Sequence, residues 1–210
     1  MSENKLEFTT IPVGFLEVNC YIIPSEKDGC VYIIDPGASP DKIAAAAESF
    51  GKKDYRILLT HAHIDHMSAV RDVMDKLAVS LFYLHEDDIL LYKSPANELQ
   101  PLMPAVKNPP KPAHAAENCE FSIIHTPGHT RGCVCYYFED AGVLFSGDTL
   151  FRNSVGRTDL PGGDSDMLVS SIREKIYALP DDVDVFPGHG PATSVGHEKE
   201  FNQFVPGGQA

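Results

Sequence analysis

Short runs of β-type residues recur along the chain and alternate with stretches in which apolar residues have helical spacing. Nine such runs are found, and they read LEFTTIPV, NCYIIP, VYIID, RILLT, VSLFYL, FSIIHT, VCYYF, GVLFSGD and VDVFPGH. Three helical patterns lie between them, with the sequences SPDKIAAAAESFG, DHMSAVRDVMDKLA and SDMLVSSIREKIYALP. This alternation predicts an α/β fold in which helices pack on sheets. The first helix is expected to begin at Ser39 and Pro40 and to stop at Gly51.

The length of the chain favours one domain over two. With 210 residues, of which 43% are hydrophobic, it can bury a sizeable core, and we expect a single domain over residues 1–210. One long segment, residues 93–117, has little regular pattern and contains six prolines. Two interpretations of this segment stay open, a rigid surface connection and a loop that covers a site.

Charge and the amino-terminal sequence limit the partners. A net charge of -13 disfavours nucleic-acid or anionic-membrane binding over the surface as a whole. The segment MSENKLEFTT lacks the basic and apolar regions of an export signal, and no apolar run approaches the roughly 18 residues that span a bilayer. We therefore expect a soluble, cytoplasmic protein that binds neither nucleic acid nor membrane.

The cysteines do not form a recognisable metal or disulfide motif. There are five of them, an odd number without a C-x-x-C pair, at Cys20, Cys30, Cys119, Cys133 and Cys135. We expect reduced thiols. The last two are two residues apart in a probable strand, so both should face the core rather than bind metal.

A histidine-rich stretch, LLTHAHIDHMSA, follows the apolar run RILLT, at the strand end where α/β sheets usually carry their sites. His61 and His63 are two apart, so their rings should project the same way and reach one ion. Asp65 is expected at the N-cap of the next helix, and His66 is expected to open that helix and face a neighbouring position. One short turn therefore offers ligands to two places.

Three later groups repeat this context. Each follows a strand-like run and has a glycine directly before the ligand, which gives a tight turn and an uncrowded approach. They contain His129 in TPGHT, Asp148 in SGDTL and His189 in PGHG. The remaining histidines are expected to be core or surface residues, and they are His85, His114, His125 and His197.

Together these nitrogen and oxygen groups suffice for two ions that share one ligand. The expected division is His61, His63 and His129 for one ion, Asp65, His66 and His189 for the other, and Asp148 as a bridge. Two divalent ions with two carboxylates and one hydroxide would keep a net positive charge, which attracts an anionic substrate. Structural zinc sites usually have four ligands rich in cysteine, so a catalytic site is favoured.

These residues resemble the metallo-β-lactamase fold superfamily of hydrolases, whose signature H-x-H-x-D-H is matched from His61 to His66. The resemblance extends through VNCYII, IDPGA, TPGHT, GDTLF, VGRTDLPGGD and PGHGPAT, which look like glyoxalase II-type members. It implies a four-layer αβ/βα sandwich of two mixed sheets flanked by helices, with a metal pair at one edge between the sheets.

The resemblance is to short members of that group. Glyoxalase II itself, the hydroxyacylglutathione hydrolase, has an extra helical carboxy-terminal domain that helps to hold glutathione, and we expect this chain to lack it. The family's basic substrate-binding residue falls on Arg157, whereas the nearby aromatic positions fall on Asp159 and Pro191. A salt bridge from Arg157 to Asp159 or Asp164 is the competing interpretation.

The expected reaction is hydrolysis of an anionic small-molecule thioester, such as S-lactoylglutathione, by a hydroxide held between two divalent ions. Zinc suits these ligands, with iron or manganese as alternatives. Asp65 would orient the hydroxide as well as bind metal, while Asp35 and Thr130 would orient ligand rings; Asp35 could equally be a turn residue. A thiolate leaves without protonation, which favours thioesters over lactams.

A second family of the same fold, the persulfide dioxygenases, resembles the sequence through H-x-H-x-D-H and GRTD. That resemblance implies one iron, held by His61, His129 and Asp148. Lactamase activity, phosphodiesterase activity and a catalytically inactive metal-binding module are less favoured alternatives.

Overall fold

The computed structural model describes residues 6–99, 101–113, 116 and 119–207. The chain divides into two compact units, an amino-terminal unit, Leu6–Glu120, and a carboxy-terminal unit that comprises residues 121–207 of the described chain. Each unit contains one five-stranded sheet and its own helices. These two mixed sheets flanked by helices confirm the predicted α/β class, whereas the expectation of a single domain stays a prediction.

The sheet of the amino-terminal unit has strands in the order β1-β2-β3-β4-β5. They are β1 (Thr9–Val13), β2 (Val18–Ser25), β3 (Cys30–Ile34), β4 (Tyr55–Leu58) and β5 (Val79–Tyr83). The first three strands pair antiparallel, while β3–β4 and β4–β5 pair parallel. Because parallel strands end at the same edge, the polar segments that follow β3 and β4 meet there.

Four helices accompany this sheet, and they are α1 (Pro40–Ser49), α2 (Ile64–Met67), α3 (Val70–Lys76) and α4 (Ile89–Tyr92). Ile43 of α1 and Val73 of α3 are fully buried in one cluster with Ile22, Ile33 and Ile57 of the sheet. Burying each such side chain stabilises the fold by roughly 1.5–3 kcal/mol, so the spacing that predicted these helices also decides which face packs.

The predicted helix DHMSAVRDVMDKLA is interrupted in the structure between α2 and α3. The backbone N–H of Ala69 donates to the carbonyl of Pro36 at 3.1 Å, outside the helix. A Cβ added to Gly37 would lie 1.7 Å from the carbonyl oxygen of Asp65, so only glycine permits this approach. The loop after β3 therefore accepts a main-chain hydrogen bond from Ala69 that a continuous helix would have made internally. The sequence DPG of this loop thus determines where α2 ends.

The carboxy-terminal unit has a second mixed sheet, in the order β12-β11-β8-β7-β6, and a two-stranded sheet of β9 and β10. Its strands are β6 (Ser122–His125), β7 (Val134–Phe138), β8 (Val143–Gly147), β9 (Leu150–Phe151), β10 (Ser154–Val155), β11 (Asp184–Pro187) and β12 (Thr193–Ser194). Strands β8 and β11 are parallel, and the other pairs are antiparallel.

Two helices belong to the carboxy-terminal unit, α5 (Ser165–Ser171) and α6 (Val195–Phe201). A π-helical segment, Ile172–Ile176, continues α5. Leu168, Ile172 and Ile176 are buried in one cluster with Leu144 and Val185, which confirms the predicted apolar face of this helix.

All nine predicted strand runs contain a strand. The sequence did not predict the two-residue strands β9, β10 and β12 or the short helices α4 and α6, because such short elements carry too few residues for a periodic pattern. The first helix does begin at Pro40 and is followed by Gly51, but Ser39 is left-handed, with φ 56°, and makes no side-chain cap.

The five cysteines are free thiols. Cys133 and Cys135 are buried, and burial raises the pKa of Cys135 to about 11, as expected for core residues. In the described ranges, no helix combines the length and the apolar character needed to cross a bilayer.

Candidate metal centre

Four of the predicted ligands lie together in the amino-terminal unit, immediately after β4. His63 has extended backbone, and the ring centroids of His61 and His63 are 4.8 Å apart with the rings perpendicular. The ring centroids of His61 and His66 are 4.2 Å apart. His61 and His66 are fully buried, whereas Asp65 and His63 are partly exposed. His63, rather than Asp65, is the N-cap residue of α2, which places Asp65 in its first turn and His66 third in the helix.

Asp35 follows β3 and contacts this ligand group from the neighbouring strand end. Its Oδ1 accepts a hydrogen bond from Thr60 N at 2.8 Å, and its Oδ2 accepts from Thr60 Oγ1 at 2.6 Å. The same Oδ2 lies 2.9 Å from Nδ1 of His66. Asp35 is buried and has a left-handed backbone, with φ 51°, which aspartate tolerates better than most residues.

Thr60 extends this network to a second histidine. Its Oγ1, which donates to Asp35, lies 3.1 Å from Nδ1 of His61 and can accept the hydrogen of that ring nitrogen. Asp35 therefore orients His66 directly and His61 through Thr60, with Nε2 of both rings left to face a metal ion. The sequence analysis did not identify Thr60. The signal that could have identified it is that Asp35 and Thr60 are polar residues that follow two adjacent parallel strands.

Two further buried side chains, which sequence reasoning also missed, contact the main chain of Ala62 between His61 and His63. Asp88 Oδ2 accepts from Ala62 N at 2.8 Å, and Asn97 Nδ2 donates to Ala62 O at 2.7 Å. Neither residue belongs to a recognisable motif, so the sequence alone carries no signal for them.

The other three predicted ligands lie together in the carboxy-terminal unit, after β6, β8 and β11. Asp148 Oδ2 is 3.6 Å from Nε2 of His129 and 3.6 Å from Nε2 of His189. Parallel pairing of β8 with β11 places the two segments that carry Asp148 and His189 side by side, and Gly188 N donates to Gly147 O at 2.8 Å. One carboxylate oxygen thus lies at the same distance from two imidazole nitrogens.

Glycine makes close backbone contacts possible around these ligands. A Cβ on Gly156 would lie 1.9 Å from the carbonyl oxygen of Asp148 and 3.1 Å from Cβ of His129. Gly128, with φ +143°, has a backbone conformation that side chains rarely adopt, and a Cβ there would lie 2.4 Å from Leu168 N. These positions hold the ligand turns against their neighbours without a side chain between them.

Main-chain contact orients His129. Its Nδ1 lies 2.7 Å from the carbonyl oxygen of Arg157, which accepts the ring hydrogen. Thr130, which we predicted to orient a ligand ring, has its hydroxyl 3.1 Å from Sγ of Cys133. The observed partner of the ring nitrogen is therefore the Arg157 backbone, a role that side-chain chemistry in the sequence does not indicate.

The Arg157 side chain forms the competing salt bridge that the sequence left open. Its Nε and one terminal nitrogen each donate to a carboxylate oxygen of Asp159 at 2.7 Å. The hydrogen bond from Arg157 lowers the pKa of Asp159 to about 2. The side chains are 61% and 68% exposed, so the pair is weak and open to exchange. Asp164 instead caps α5 by accepting from Met167 N at 3.0 Å.

Three of the histidines outside the predicted ligand set have partners of their own. His85 accepts a hydrogen bond from Asp87 N at 3.3 Å, His125 Nε2 lies 2.8 Å from Arg131 O, and His197 Nε2 lies 2.9 Å from Asn153 Oδ1. His114 lies outside the described residues.

A family model described as the metallo-beta-lactamase superfamily matches residues 13–189. The chain belongs to that superfamily. The matched range includes all seven predicted ligands, and the fold of two mixed sheets flanked by helices is the metallo-β-lactamase fold.

Relatives of this metallo-β-lactamase superfamily chain include named enzymes. The probable metallo-hydrolase YqgX of Bacillus subtilis (strain 168) is 36% identical over 211 residues, which cover 96% of this chain and 99% of the relative. Hydroxyacylglutathione hydrolase GloC of Haemophilus influenzae is 33% identical over 204 residues, which cover 93% of this chain and 96% of the relative. Membership and these relatives support a metallo-hydrolase.

Two solved structures are similar over nearly their whole length. The crystal structure of BLEG-1 B3 metallo-beta-lactamase has a TM-score of 0.84 and 37% identity, and the match covers 95% of this chain and 99% of that one. The crystal structure of TTHA1623 in a di-iron-bound form has a TM-score of 0.82 and 36% identity, with 94% and 100% covered.

The donor geometry within each unit of this superfamily member fits metal ligation. Asp148 Oδ2 is 3.6 Å from two imidazole nitrogens, and Asp65 Oδ2 is 3.7 Å from Nε2 of His66. These distances are too long for hydrogen bonds. Two ligand atoms on one tetrahedral ion lie roughly 3.4 Å apart, given metal–ligand bonds of about 2.1 Å. The observed spacing is therefore close to what a shared cation requires.

Proposed function

We propose that this superfamily member is a two-metal hydrolase of anionic acyl thioesters such as S-lactoylglutathione. The observation that carries the proposal is the single oxygen of Asp148 that lies 3.6 Å from Nε2 of both His129 and His189. At this spacing one oxygen of Asp148 could share an ion with a histidine from each of the two proposed sets, as a bridging carboxylate requires. The similarity to hydroxyacylglutathione hydrolase GloC supports the substrate class.

The proposal assigns two divalent ions to the two ligand groups together, with zinc as the expected metal and iron or manganese as alternatives. The assigned ligands are His61, His63 and His129 for one ion, Asp65, His66 and His189 for the other, and Asp148 for both. When bound, such ions lower the pKa of a coordinated water towards about 7 and polarise a carbonyl oxygen. The di-iron form of TTHA1623 supports occupancy by two ions and keeps iron open.

Asp65 and Arg157 are assigned the contacts with the reactants. The Asp65 carboxylate is partly exposed, with 11% of its side chain accessible, so it can accept a hydrogen bond from the attacking water and orient it. Arg157 would exchange the Asp159 carboxylate for a carboxylate of the substrate, because an exposed ion pair costs little to open. Asp35 stays assigned to the orientation of ligand rings, and the hydrogen bond to His66 supports this. Thr130, whose hydroxyl lies beside Sγ of Cys133, is not given that role.

The leaving group explains the preference for thioesters. A thiol has a pKa near about 8.5, so a thiolate departs without a proton donor, whereas an amide nitrogen needs one. Among the described residues, the acidic side chains near the ligands are assigned as metal ligands (Asp65 and Asp148), as supports (Asp35 and Asp88) or to an ion pair (Asp159), so no proton donor for an amine is assigned.

The proposal also includes a cytoplasmic location, with neither nucleic acid nor membrane as a partner. The five free thiols and the net charge of -13 support it.

Metal analysis combined with turnover tests the function. The zinc-loaded protein is expected to hold two ions per chain and to hydrolyse S-lactoylglutathione at the same rate with and without oxygen. One iron per chain, together with oxygen uptake when a persulfide is supplied, would contradict the hydrolase and show that the protein is a dioxygenase. Faster turnover of a β-lactam, the substrate class named for BLEG-1, would make the protein a lactamase, and inertness towards all three substrates would leave a metal-binding module.

A further inference from the structure

We infer that Asp88 and Asn97 are positioning residues for the metal centre, because they hold from two sides the residue that separates His61 from His63. The inference rests on the proposed function, since it concerns the ion that these two histidines bind. Neither residue is a proposed ligand, and each acts on the backbone rather than on an imidazole ring.

Ala62 is held through both of its main-chain polar groups. Asp88 Oδ2 accepts from its N–H at 2.8 Å, and Asn97 Nδ2 donates to its carbonyl at 2.7 Å. Ala62 is fully buried, and the exposures of Asp88 and Asn97 are 1% and 6%. Hydrogen bonds in such a dry environment are strong, and removing one partner leaves a buried polar group unsatisfied.

The two contacts fix the backbone beside both histidines. The Ala62 N–H lies in the rigid peptide plane that ends at Cα of His61, and the Ala62 carbonyl lies in the plane that ends at Cα of His63. Holding both planes restricts φ and ψ of Ala62, and it therefore fixes the positions of the Cα atoms of His61 and His63 from which the two rings project. Productive metal geometry tolerates errors of only about 0.5 Å, so this restriction matters for binding.

Both residues come from the stretch that follows β5, outside the motifs that carry the ligands. Asp88 ends a 3₁₀ turn, Glu86–Asp88, that leads directly into α4. Asn97 closes a turn in which its own N–H donates to Ser94 O at 3.1 Å and Ala96 N donates to Ser94 Oγ at 3.2 Å. Asn97 Nδ2 also lies 3.6 Å from Sδ of Met67 at the end of α2.

This geometry gives the proline-rich segment, residues 93–117, a specific role. The sequence left open whether the segment is a surface connection or a loop that serves the site. Through Asn97 the segment contacts both the loop of His61 and His63 and the helix of Asp65 and His66. Asp35 and Thr60 orient rings, whereas Asp88 and Asn97 set the backbone from which the rings project.

The chain offers a matched control for a purely structural role. Tyr92 is buried, ends α4, and donates from its hydroxyl to Pro110 O at 2.8 Å, so it stabilises the same segment without contacting Ala62. Tyr92→Phe removes one partly buried hydrogen bond of this segment and leaves the contacts of Asn97 with Ala62 and Met67 in place. Asn97→Asp keeps the shape of the side chain and removes the donor, and Asp88→Leu keeps a side chain of similar size and removes the acceptor.

The test is Zn²⁺ affinity of the full chain, measured by competition with a chromophoric chelator, together with the absorption spectrum of the Co²⁺ form. Asn97→Ala and Asn97→Asp are expected to weaken the affinity of one of two Zn²⁺ sites by about 10-fold or more and to alter the Co²⁺ spectrum. Asp88→Leu is expected to weaken the affinity of the same site, and wild-type affinity of this variant would remove Asp88 from the inference. Tyr92→Phe is expected to keep wild-type affinity and spectrum, although it lowers the denaturant midpoint.

The outcomes separate the inference from the proposed function. Wild-type protein that fails to bind two Zn²⁺ ions or to cleave thioesters overturns the proposed function. Wild-type protein that binds both ions while the Asn97 variants bind equally well, or no worse than Tyr92→Phe, overturns the inference. If Asn97→Ala does not fold, the isosteric Asn97→Asp decides the question.

Discussion

The two ligand groups reach similar geometry by different means. The amino-terminal group takes four ligands from one stretch of six residues, His61 to His66, and buried side chains hold it. The carboxy-terminal group takes three ligands from turns about 20 and 40 residues apart in sequence, and backbone contacts hold it, such as the Arg157 carbonyl on His129. A compact motif needs external supports, whereas ligands on adjacent strand ends are placed by strand pairing.

One feature is common to both groups. The carbonyl oxygen of each carboxylate ligand lies against a glycine, Gly37 for Asp65 and Gly156 for Asp148, at distances that exclude any Cβ. Backbone packed against backbone is rigid, because no rotamer intervenes. The comparison therefore predicts that loss of the shared ligand Asp148 affects both metal ions, whereas loss of a support affects most strongly the ion whose ligand it contacts directly.

The largest effect is expected for Asp148→Ala. Oδ2 of Asp148 lies near both His129 and His189, which are assigned to different ions, so loss of this carboxylate should remove at least one ion. We expect kcat/KM for S-lactoylglutathione to fall by about 10³-fold or more, the equivalent of several kcal/mol. Metal content and steady-state kinetics measure both effects. Asp184→Ala, at an exposed aspartate of the same unit, is the control. Near wild-type activity of Asp148→Ala would contradict the bridging role.

Asp35→Asn tests the side-chain supports of the amino-terminal group. The amide cannot accept at both oxygen positions, so it loses part of the network with Thr60 and His66. Metal affinity should fall by about 10–100-fold, with a larger effect on the ion bound by His66 than on the other. Competition with a chelator measures it. An equal loss at both ions would show that Asp35 supports His61, through Thr60, as strongly as it supports His66.

The sequence predicts the elements and the ligands better than it predicts the supports. Strands are found because β-branched and aromatic residues cluster in runs such as VYIID, and ligands are found because polar residues with glycine follow those runs. Thr60 follows such a run but has no glycine beside it, and Asp88 and Asn97 have no such pattern at all. Their function depends on tertiary packing, which brings a particular polar group within 3 Å of each side chain. Such a contact between residues that are distant in sequence cannot be predicted from a single sequence.

The interrupted helix illustrates the same limit. Its apolar spacing is continuous through Met67, Val70 and Val73, and nothing local marks a break. The break arises because Pro36 takes the N–H of Ala69 from a distant part of the chain. Local periodicity thus identifies the buried face, while a tertiary contact sets the helix boundary.

Arg157→Ala separates the two roles of one residue. The backbone carbonyl that holds His129 is retained, so Zn²⁺ affinity should be unchanged. The guanidinium is lost, so KM for an anionic thioester should rise, by about 10-fold if one ion pair with the substrate contributes roughly 1.4 kcal/mol, while kcat changes little. The Michaelis constant for a neutral thioester is the control. An unchanged KM for the anionic substrate would exclude substrate contact by Arg157.

The smallest expected effect is on Asp159, and it checks the ion pair directly. Its pKa is lowered to about 2 by the Arg157 hydrogen bonds, and removal of that partner in Arg157→Ala should return it towards its usual value near 3.8. A lowered folded-state pKa stabilises the fold above pH 3.8, and this contribution disappears as pH falls through 2, but full exposure keeps it small. Carboxyl chemical shifts measured by NMR titration follow the change. If saturating anionic substrate also raises the pKa of Asp159 in the wild-type protein, Arg157 has exchanged one carboxylate for the other; if the pKa stays near 2, the pair remains closed during binding.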